Sequence, residues 1–109
     1  MKGAEREILL SFWKVHILHH AGVEPIHGQW ILNELRRHGY VISPGTLYPL
    51  LERMERRGWL KGESDPRGGK RARKDYRLTT RGKEVLKLVC EQITELYEEV
   101  VGGAGKHKR

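Results

Sequence analysis

The first half of the chain carries apolar residues at helical spacing, in segments bounded by residues that favour a helix start or stop. The first segment spans about residues 4–20 and is followed by Gly22 and Pro25, which predict its end. The second spans about residues 27–38, and Gly39 predicts a left-handed stop after it. The stripe positions of these two predicted helices are Ile8, Phe12, Val15 and His19, with Leu9, Trp13 and Ile17 beside them, and then Ile31, Leu32 and Leu35.

A third helix is predicted from its capping residues. Ser43 is a good helix cap, and Pro44 suits the first helical position. Gly58 predicts the end of this helix. Pro49 lies past the first turn, where its ring presses on the carbonyl of Gly45. Either the regular helix begins nearer Thr46, or it begins at Ser43 with a local irregularity at Gly45, which is the interpretation we favour. The apolar positions expected to face the core are Leu47, Leu50, Leu51 and Met54.

The pattern then changes to two short strands. Residues 59–63 and 73–78 predict strands, and Asp-Pro-Arg-Gly-Gly-Lys at 65–70 has the composition of a turn. Its two adjacent glycines can adopt positive φ angles, as hairpin turns require. The sequence therefore predicts a β-hairpin with a cationic tip.

A long last helix follows the hairpin. Thr79 or Thr80 predicts its cap, and the Gly102-Gly103 pair predicts its end. Its apolar residues step alternately by three and four positions, which is heptad spacing over two heptads. Such a seam is too short for a free coiled coil, but it can pack on a partner helix. The seam consists of Leu86, Val89, Ile93, Leu96 and Val100.

The order of elements predicts a mainly α fold with a small β-hairpin (α+β), a winged helix-turn-helix of order α-α-α-β-β-α. We expect a DNA-binding domain at residues 1–78, a C-terminal dimerisation helix at 79–101 and a flexible basic tail at 102–109. The last helix has no role left inside the domain, so a second copy of the chain is its simplest cover. The first helix, 4–20, is expected to join this contact through Ile8 and Phe12.

The charge of the chain indicates what kind of partner it binds. The formal net charge is +7 and the pI is about 9.8, which favours an anionic partner. Residues 65–83 hold eight Lys or Arg against two Asp, whereas residues 84–101 hold five Glu against one Lys. The wing should therefore attract phosphate, and the last helix should serve another purpose.

Composition also excludes several classes of protein. With no apolar run near the roughly 20 residues that span a bilayer and no signal peptide, we expect a cytoplasmic protein without a membrane partner. The single cysteine, Cys90, excludes an internal disulfide framework. We see no Ser/His/Asp set, metal quartet or phosphate-binding glycine loop, so we expect no enzyme, no metal and no cofactor.

Two groups of residues are candidates for DNA contact. Gly45, Thr46 and Tyr48 lie in or near the first turn of the third helix, where small and hydroxyl residues suit phosphate and base-edge contacts. In the alternative interpretation, Tyr48 packs against the wing and Gly45 relieves strain from Pro49. The wing group is expected to contact phosphates or the minor groove, although charged loops are often only solvated. It consists of Arg67, Lys70, Arg71, Arg73 and Lys74.

The histidines and the single cysteine are the remaining candidates, for metal binding and for disulfide formation. His16, His19 and His20 lie on neighbouring turns of the first helix, and His16 and His20 have the i, i+4 spacing that can hold a metal. Because no cysteine or carboxylate completes a local set, surface or interface histidines are the favoured interpretation. His27 is expected to order the turn before the second helix. Cys90 is expected to be a packing residue, with an intersubunit disulfide as the alternative.

Four motifs between residues 25 and 82 together resemble the PadR family of winged-helix transcriptional regulators. They are Pro25-Ile26-His27-Gly28, Gly45-Thr46-Leu47-Tyr48-Pro49, Leu51-x-Arg53-Met54-Glu55-x-x-Gly58 and Arg73-Lys74-x-Tyr76-x-Leu78-Thr79-x-x-Gly82. Differences from the family pattern include Gln29 after His-Gly, where an aromatic residue is usual, and Asp75 in place of the first of two aromatics. The short last helix resembles the compact branch of the family.

The resemblance implies a homodimeric, repressor-type regulator whose terminal helices form the dimer. Two-fold symmetry would place two recognition helices about one DNA turn, roughly 34 Å, apart on a palindromic operator. Members often respond to small aromatic or drug-like ligands, and Phe12, Trp13 and Tyr97 are candidates for such a pocket, although plain core is the commoner role of such residues. A winged-helix module that binds RNA or a protein remains the alternative.

Overall fold

The computed structural model describes residues 2–102, except the side chains of residues 2–4, 70 and 71. Its elements follow the predicted order and add three short ones. They are α1 (Lys2–Val23), β1 (Ile26–His27), α2 (Gly28–Arg37), α3 (Pro44–Arg56), β2 (Leu60–Ser64), a 3₁₀ turn (Pro66–Arg71), β3 (Lys74–Leu78), α4 (Thr80–Tyr97) and a π-helical turn (Glu98–Gly102). The predicted tail lies, from residue 103 onward, outside the described residues.

The predicted hairpin is part of a three-stranded antiparallel sheet. β3 is the central strand, with β2 on one side and β1 on the other. β1 pairs Ile26 with Tyr76 and His27 with Asp75. A two-residue strand has no alternation to detect, so only its tertiary pairing reveals it. β1 leads directly into α2 and so fixes the start of that helix against the wing.

The first helix is longer than predicted, because it passes through Gly22 and ends at Val23. A methyl group on Gly22 would lie 3.0 Å from Leu78 Cδ2, so the glycine permits close packing against β3. Pro25 disfavours helical backbone at the residue before it, which explains the stop. The expected ends of the second and third helices are confirmed, because Gly39 and Gly58 both have positive φ angles. The last helix was expected to continue to Gly102, but α4 ends at Tyr97 and a π-helical turn follows it.

The core lies between the first three helices and the inner face of the sheet. All four core positions predicted on α3 are buried, as are Ile31, Leu32 and Leu35 on α2. The stripe predicted on α1 divides into two faces. The core face consists of Trp13, Ile17, Leu18 and Ala21, whereas Ile8 and Phe12 stay 63% and 49% exposed.

Side-chain caps set the start of α2 and of α4. His27 Nδ1 accepts a hydrogen bond from Trp30 N at 3.3 Å, which confirms that His27 orders the turn before α2. Thr79 caps α4 by accepting from Gly82 N at 2.9 Å. α3 runs unbroken through Pro49, so the irregularity expected at Gly45 does not interrupt the helix. Gly45 is exposed, so water can satisfy the carbonyl that Pro49 leaves unpaired.

The apolar seam of α4 is largely uncovered in the single chain. Leu86 and Val89 are half-buried, whereas Ile93, Leu96 and Val100 are 45%, 56% and 62% exposed. Among residues 2–102, no helix is long and apolar enough to cross a membrane.

Candidate nucleic-acid interface

The first turns of α3 present a polar, accessible face. Gly45, Tyr48 and Pro49 are exposed and Thr46 is half-buried, whereas Leu47 is fully buried. The Ser43 side chain forms no cap hydrogen bond to the helix backbone; its hydroxyl lies 3.4 Å from Thr46 Oγ1. The helix N-terminus carries partial positive charge and is therefore suited to an anion.

Tyr48 is held by packing as well as being accessible. Its ring lies over Gly28, the first residue of α2, where an added Cβ would overlap Tyr48 Cε1 and lie 2.7 Å from its hydroxyl oxygen. The side chain is nevertheless 41% exposed. Gly28 thus provides the space in which the Tyr48 ring lies.

A half-exposed ion pair joins α3 to the wing. Glu55 of α3 accepts from Lys74 Nζ of β3 at 2.9 Å and from Gly62 N of β2 at 3.2 Å. The hydrogen bond to Glu55 raises the pKa of Lys74 above its usual value. The ammonium also lies 5.5 Å from the centre of the Tyr76 ring. Lys74 was predicted to contact DNA; in the free protein its charge is engaged in positioning the wing.

The wing tip is built around a capped 3₁₀ turn. Asp65 Oδ1 accepts from Arg67 N at 3.0 Å, and Gly69 turns the chain with a φ of 64°. The Arg67 side chain is 92% exposed and pairs with Asp65, and Arg73 is exposed and pairs with Asp75 at 3.2 Å. Exposed pairs of this kind are weak, so a phosphate can replace either carboxylate. The predicted contacts Lys70 and Arg71 have side chains outside the described residues.

The exposed face of α3 extends beyond the residues that the sequence singled out. Glu52, Arg53 and Arg56 are exposed, and Arg56 lies three turns along the same face as Gly45. Helical spacing from Gly45 would have indicated Glu52 and Arg56, because i+7 and i+11 share its face, and Arg53 lies beside them. The two arginines add positive charge to the exposed surface of α3.

The three residues predicted to line a ligand pocket differ in burial in the single chain. Trp13 is buried and lines a groove of about 470 Å³ with Tyr40, Ile42 and Thr46. Its indole N–H has no hydrogen-bond partner within the described part of the chain. Phe12 and Tyr97 are exposed. Cys90 is an exposed free thiol on α4.

Comparison with known proteins gives one consistent family. The model of the transcriptional regulator PadR-like family matches residues 17–88. The transcriptional regulator Rv3488 of Mycobacterium tuberculosis is 46% identical over 98 residues, which cover 90% of this chain and 91% of that protein.

Solved structures agree in fold. A PadR family regulator from Eggerthella lenta is 33% identical with a TM-score of 0.72, over 91% of this chain and 83% of that one. A PadR-like transcription factor from Bacteroides fragilis is 26% identical with a TM-score of 0.76, over 90% and 95% of the two chains. The match extends over the helices and the wing together.

Proposed function

Because the chain belongs to the PadR-like family of transcriptional regulators, we propose that it is a repressor that binds a palindromic operator as a homodimer. Regulators of this family are non-enzymatic DNA-binding proteins. The observation that carries the proposal is the pairing of an exposed α3 N-terminus with a basic wing, locked together through Glu55 and Lys74. We propose that the protein acts in the cytoplasm, where its operator is found.

α3 is the element that enters the major groove in this proposal. Its N-terminal turn approaches the DNA with Gly45, Thr46 and Tyr48, while the wing arginines lie along the phosphate backbone. The hydrogen bond from Lys74 of β3 to Glu55 of α3 holds the N-terminal turn of α3 and the wing at one spacing, so both can contact the same half-site. Arg53 and Arg56 are then placed to contact the backbone or base edges beside the groove.

The dimer is supported by the uncovered apolar surface. Ile8 and Phe12 on α1 and the seam on α4 are exposed in the single chain, although large apolar side chains favour burial. Covering both with the same surfaces of a second copy gives a two-fold interface. That symmetry repeats the recognition helix on the DNA and thereby requires a palindromic site.

The substitution Ile93→Glu is expected to convert the dimer to monomer at micromolar concentration and to abolish tight operator binding. It places a charge in the centre of the proposed seam, where burial of an unpaired carboxylate is costly. Sedimentation equilibrium measures the mass, and fluorescence anisotropy measures operator affinity. Gln92→Glu is the matched control, because it adds the same charge one residue away and should leave the dimer intact. A wild-type monomer would contradict the proposed interface.

The substitution Tyr48→Phe is expected to weaken operator binding by about 10-fold or more, because hydrogen bonds to charged groups contribute about 1.5–3 kcal/mol. Phenylalanine keeps the ring over Gly28, so the melting temperature should not change. Tyr48→Ala also removes the ring and should weaken binding further. Equal affinities of wild type and Tyr48→Phe in anisotropy titrations would remove the hydroxyl from the DNA contact.

The operator itself is tested by selection of bound duplexes from a random pool. An inverted repeat, with binding lost when its halves are shifted by half a helical turn, is the expected result. Preference for single-stranded RNA over any duplex would instead support the alternative of an RNA-binding module.

A small aromatic effector is part of the proposal, and the groove beside Trp13 supports it. The groove is lined by Tyr40 and by Thr46, which lies in the first turn of α3. A ligand in it would therefore lie between α1 and α3. The unpartnered indole N–H of Trp13 offers a donor to a ligand oxygen. Phe12 and Tyr97 remain candidates for the side of the pocket that the partner would complete.

A further inference from the structure

We propose that α1 and α2 together form a binding site for a divalent cation of the zinc class, with His16, His20 and His38 as ligands. The side chains of these three histidines offer nitrogen atoms that all lie within 4.8 Å of one another. His19, which the sequence grouped with His16 and His20, is exposed and is replaced in the cluster by His38 from the end of α2.

The arrangement is two facing pairs at i, i+4 spacing. His16 and His20 lie on successive turns of α1, and Glu34 and His38 do so on α2 and its C-terminal cap. Glu34 Oε2 lies 3.1 Å from His38 Nε2 and 3.5 Å from His20 Nε2. Imidazole nitrogens are ligands that zinc prefers, and three of them would leave the fourth tetrahedral position to a carboxylate such as Glu34 or to water.

The three histidines lie slightly farther apart than ligands around a bound zinc ion. Tetrahedral nitrogen ligands about 2.0 Å from zinc lie about 3.3 Å apart. The rings of His16 and His38 have centroids 4.8 Å apart, and those of His16 and His20 are stacked at 6.4 Å with an angle of 11° between their planes. Because the ligand nitrogens all lie within 4.8 Å of one another, they would have to approach by up to about 1.5 Å when an ion binds.

The ligand side chains lie at the surface between the two helices. His16, His20 and Glu34 are half-buried and His38 is exposed, so an ion can reach the site from solvent. The Tyr40 hydroxyl lies 3.3 Å from His16 Nε2 and places a polar group beside the site.

Arg37 is the group that a cation would displace. Its guanidinium binds both carboxylate oxygens of Glu34, at 3.1 and 2.7 Å, and its side chain is mostly exposed. It can therefore turn into solvent when a cation takes one oxygen. The bound ion would join α1, which carries Ile8 and Phe12, to the end of α2. From there, Arg36 reaches the carbonyl of Ile42 at 3.0 Å, next to the start of α3.

The test measures metal alone and requires no DNA. Titration of the metal-free protein with Co²⁺ should give the intense visible absorption of a tetrahedral site at one ion per chain, and Zn²⁺ should displace it. His38→Gln and His16→Gln should each weaken Zn²⁺ binding by at least about 100-fold, because even outer-sphere changes at metal sites cost about 10–100-fold. The exposed neighbour provides the matched control: His19→Gln should bind as wild type does.

Stability provides a second readout. Zinc at about 100 times its dissociation constant should raise the melting temperature of wild type and His19→Gln by about 10 °C and leave His38→Gln unchanged. His38 is exposed at the end of α2, so its replacement should not prevent folding. Wild-type protein that binds zinc no more tightly than His38→Gln overturns the proposal, and so does an equal loss in His19→Gln. Neither result bears on operator binding, which is measured in metal-free buffer.

Discussion

The combined substitutions Arg67→Gln, Lys70→Gln, Arg71→Gln and Arg73→Gln are expected to weaken binding to every duplex and to flatten its salt dependence. Each phosphate that a cationic side chain neutralises releases counterions and contributes about −0.9 to the slope of log K against log salt concentration. Four contacts on each of two wings therefore correspond to a loss of up to about 7 in that slope. The exposed carboxylate partners of Arg67 and Arg73 compete only weakly with phosphate.

Two neighbouring single substitutions provide the matched comparison. Arg73→Gln and Lys74→Gln remove the same charge from adjacent positions, but Lys74 is engaged with Glu55. Arg73→Gln should reduce the slope by about 2 in the dimer, whereas Lys74→Gln should lower the melting temperature and change the slope less. Anisotropy titrations over a range of salt concentrations, on the selected operator and a scrambled duplex, measure both. Loss of operator binding alone, with scrambled DNA unaffected, would instead make the wing a reader of bases.

The helix boundaries could be predicted from sequence because their signals are local. Signals of this kind act within one turn of their own positions: Gly39, Gly58 and Thr79 have the predicted roles, and Ser43 lies at the predicted N-cap position but makes no side-chain cap hydrogen bond. The apolar spacing of α3 likewise identified its core face. For the interface, the same local chemistry placed Gly45, Thr46 and Tyr48 on one helix start.

Features that depend on distant parts of the chain were not visible. β1 forms because Ile26 pairs with Tyr76, some 50 residues further along the chain, and a pattern of two residues cannot indicate this pairing. The pairing of Lys74 with Glu55 was not visible either, since a charge in a sequence does not reveal its partner; the predicted DNA contact of Lys74 stays a prediction. For the same reason, the sequence did not indicate that His38 lies beside His16 and His20.

The substitution Gly82→Ala is expected to destabilise the fold by about 3 kcal/mol, because it adds an atom where backbone fills the space. The new methyl group would overlap the carbonyl oxygen of Trp59 and lie 2.6 Å from Leu78 Cδ1. The Trp59 carbonyl accepts from Thr79 N at 3.1 Å, and Thr79 Oγ1 donates to the Gly58 carbonyl. To relieve this overlap, the N-terminus of α4 would have to move away from the end of α3. That movement would break the two hydrogen bonds that Thr79 makes to Trp59 and Gly58.

Thermal unfolding at equal protein concentrations tests this, with an expected fall of about 10 °C in the melting temperature. Gly45→Ala is the matched control, since Gly45 also lies in the first turn of a helix. Its added Cβ meets only Ser43 Oγ at 3.7 Å, an ordinary contact. Alanine favours helix over glycine by up to about 1 kcal/mol, so Gly45→Ala should be neutral or stabilising. Equal melting temperatures for the two variants would show that α4 can move away from Trp59 without cost, and would contradict a rigid junction at Gly82.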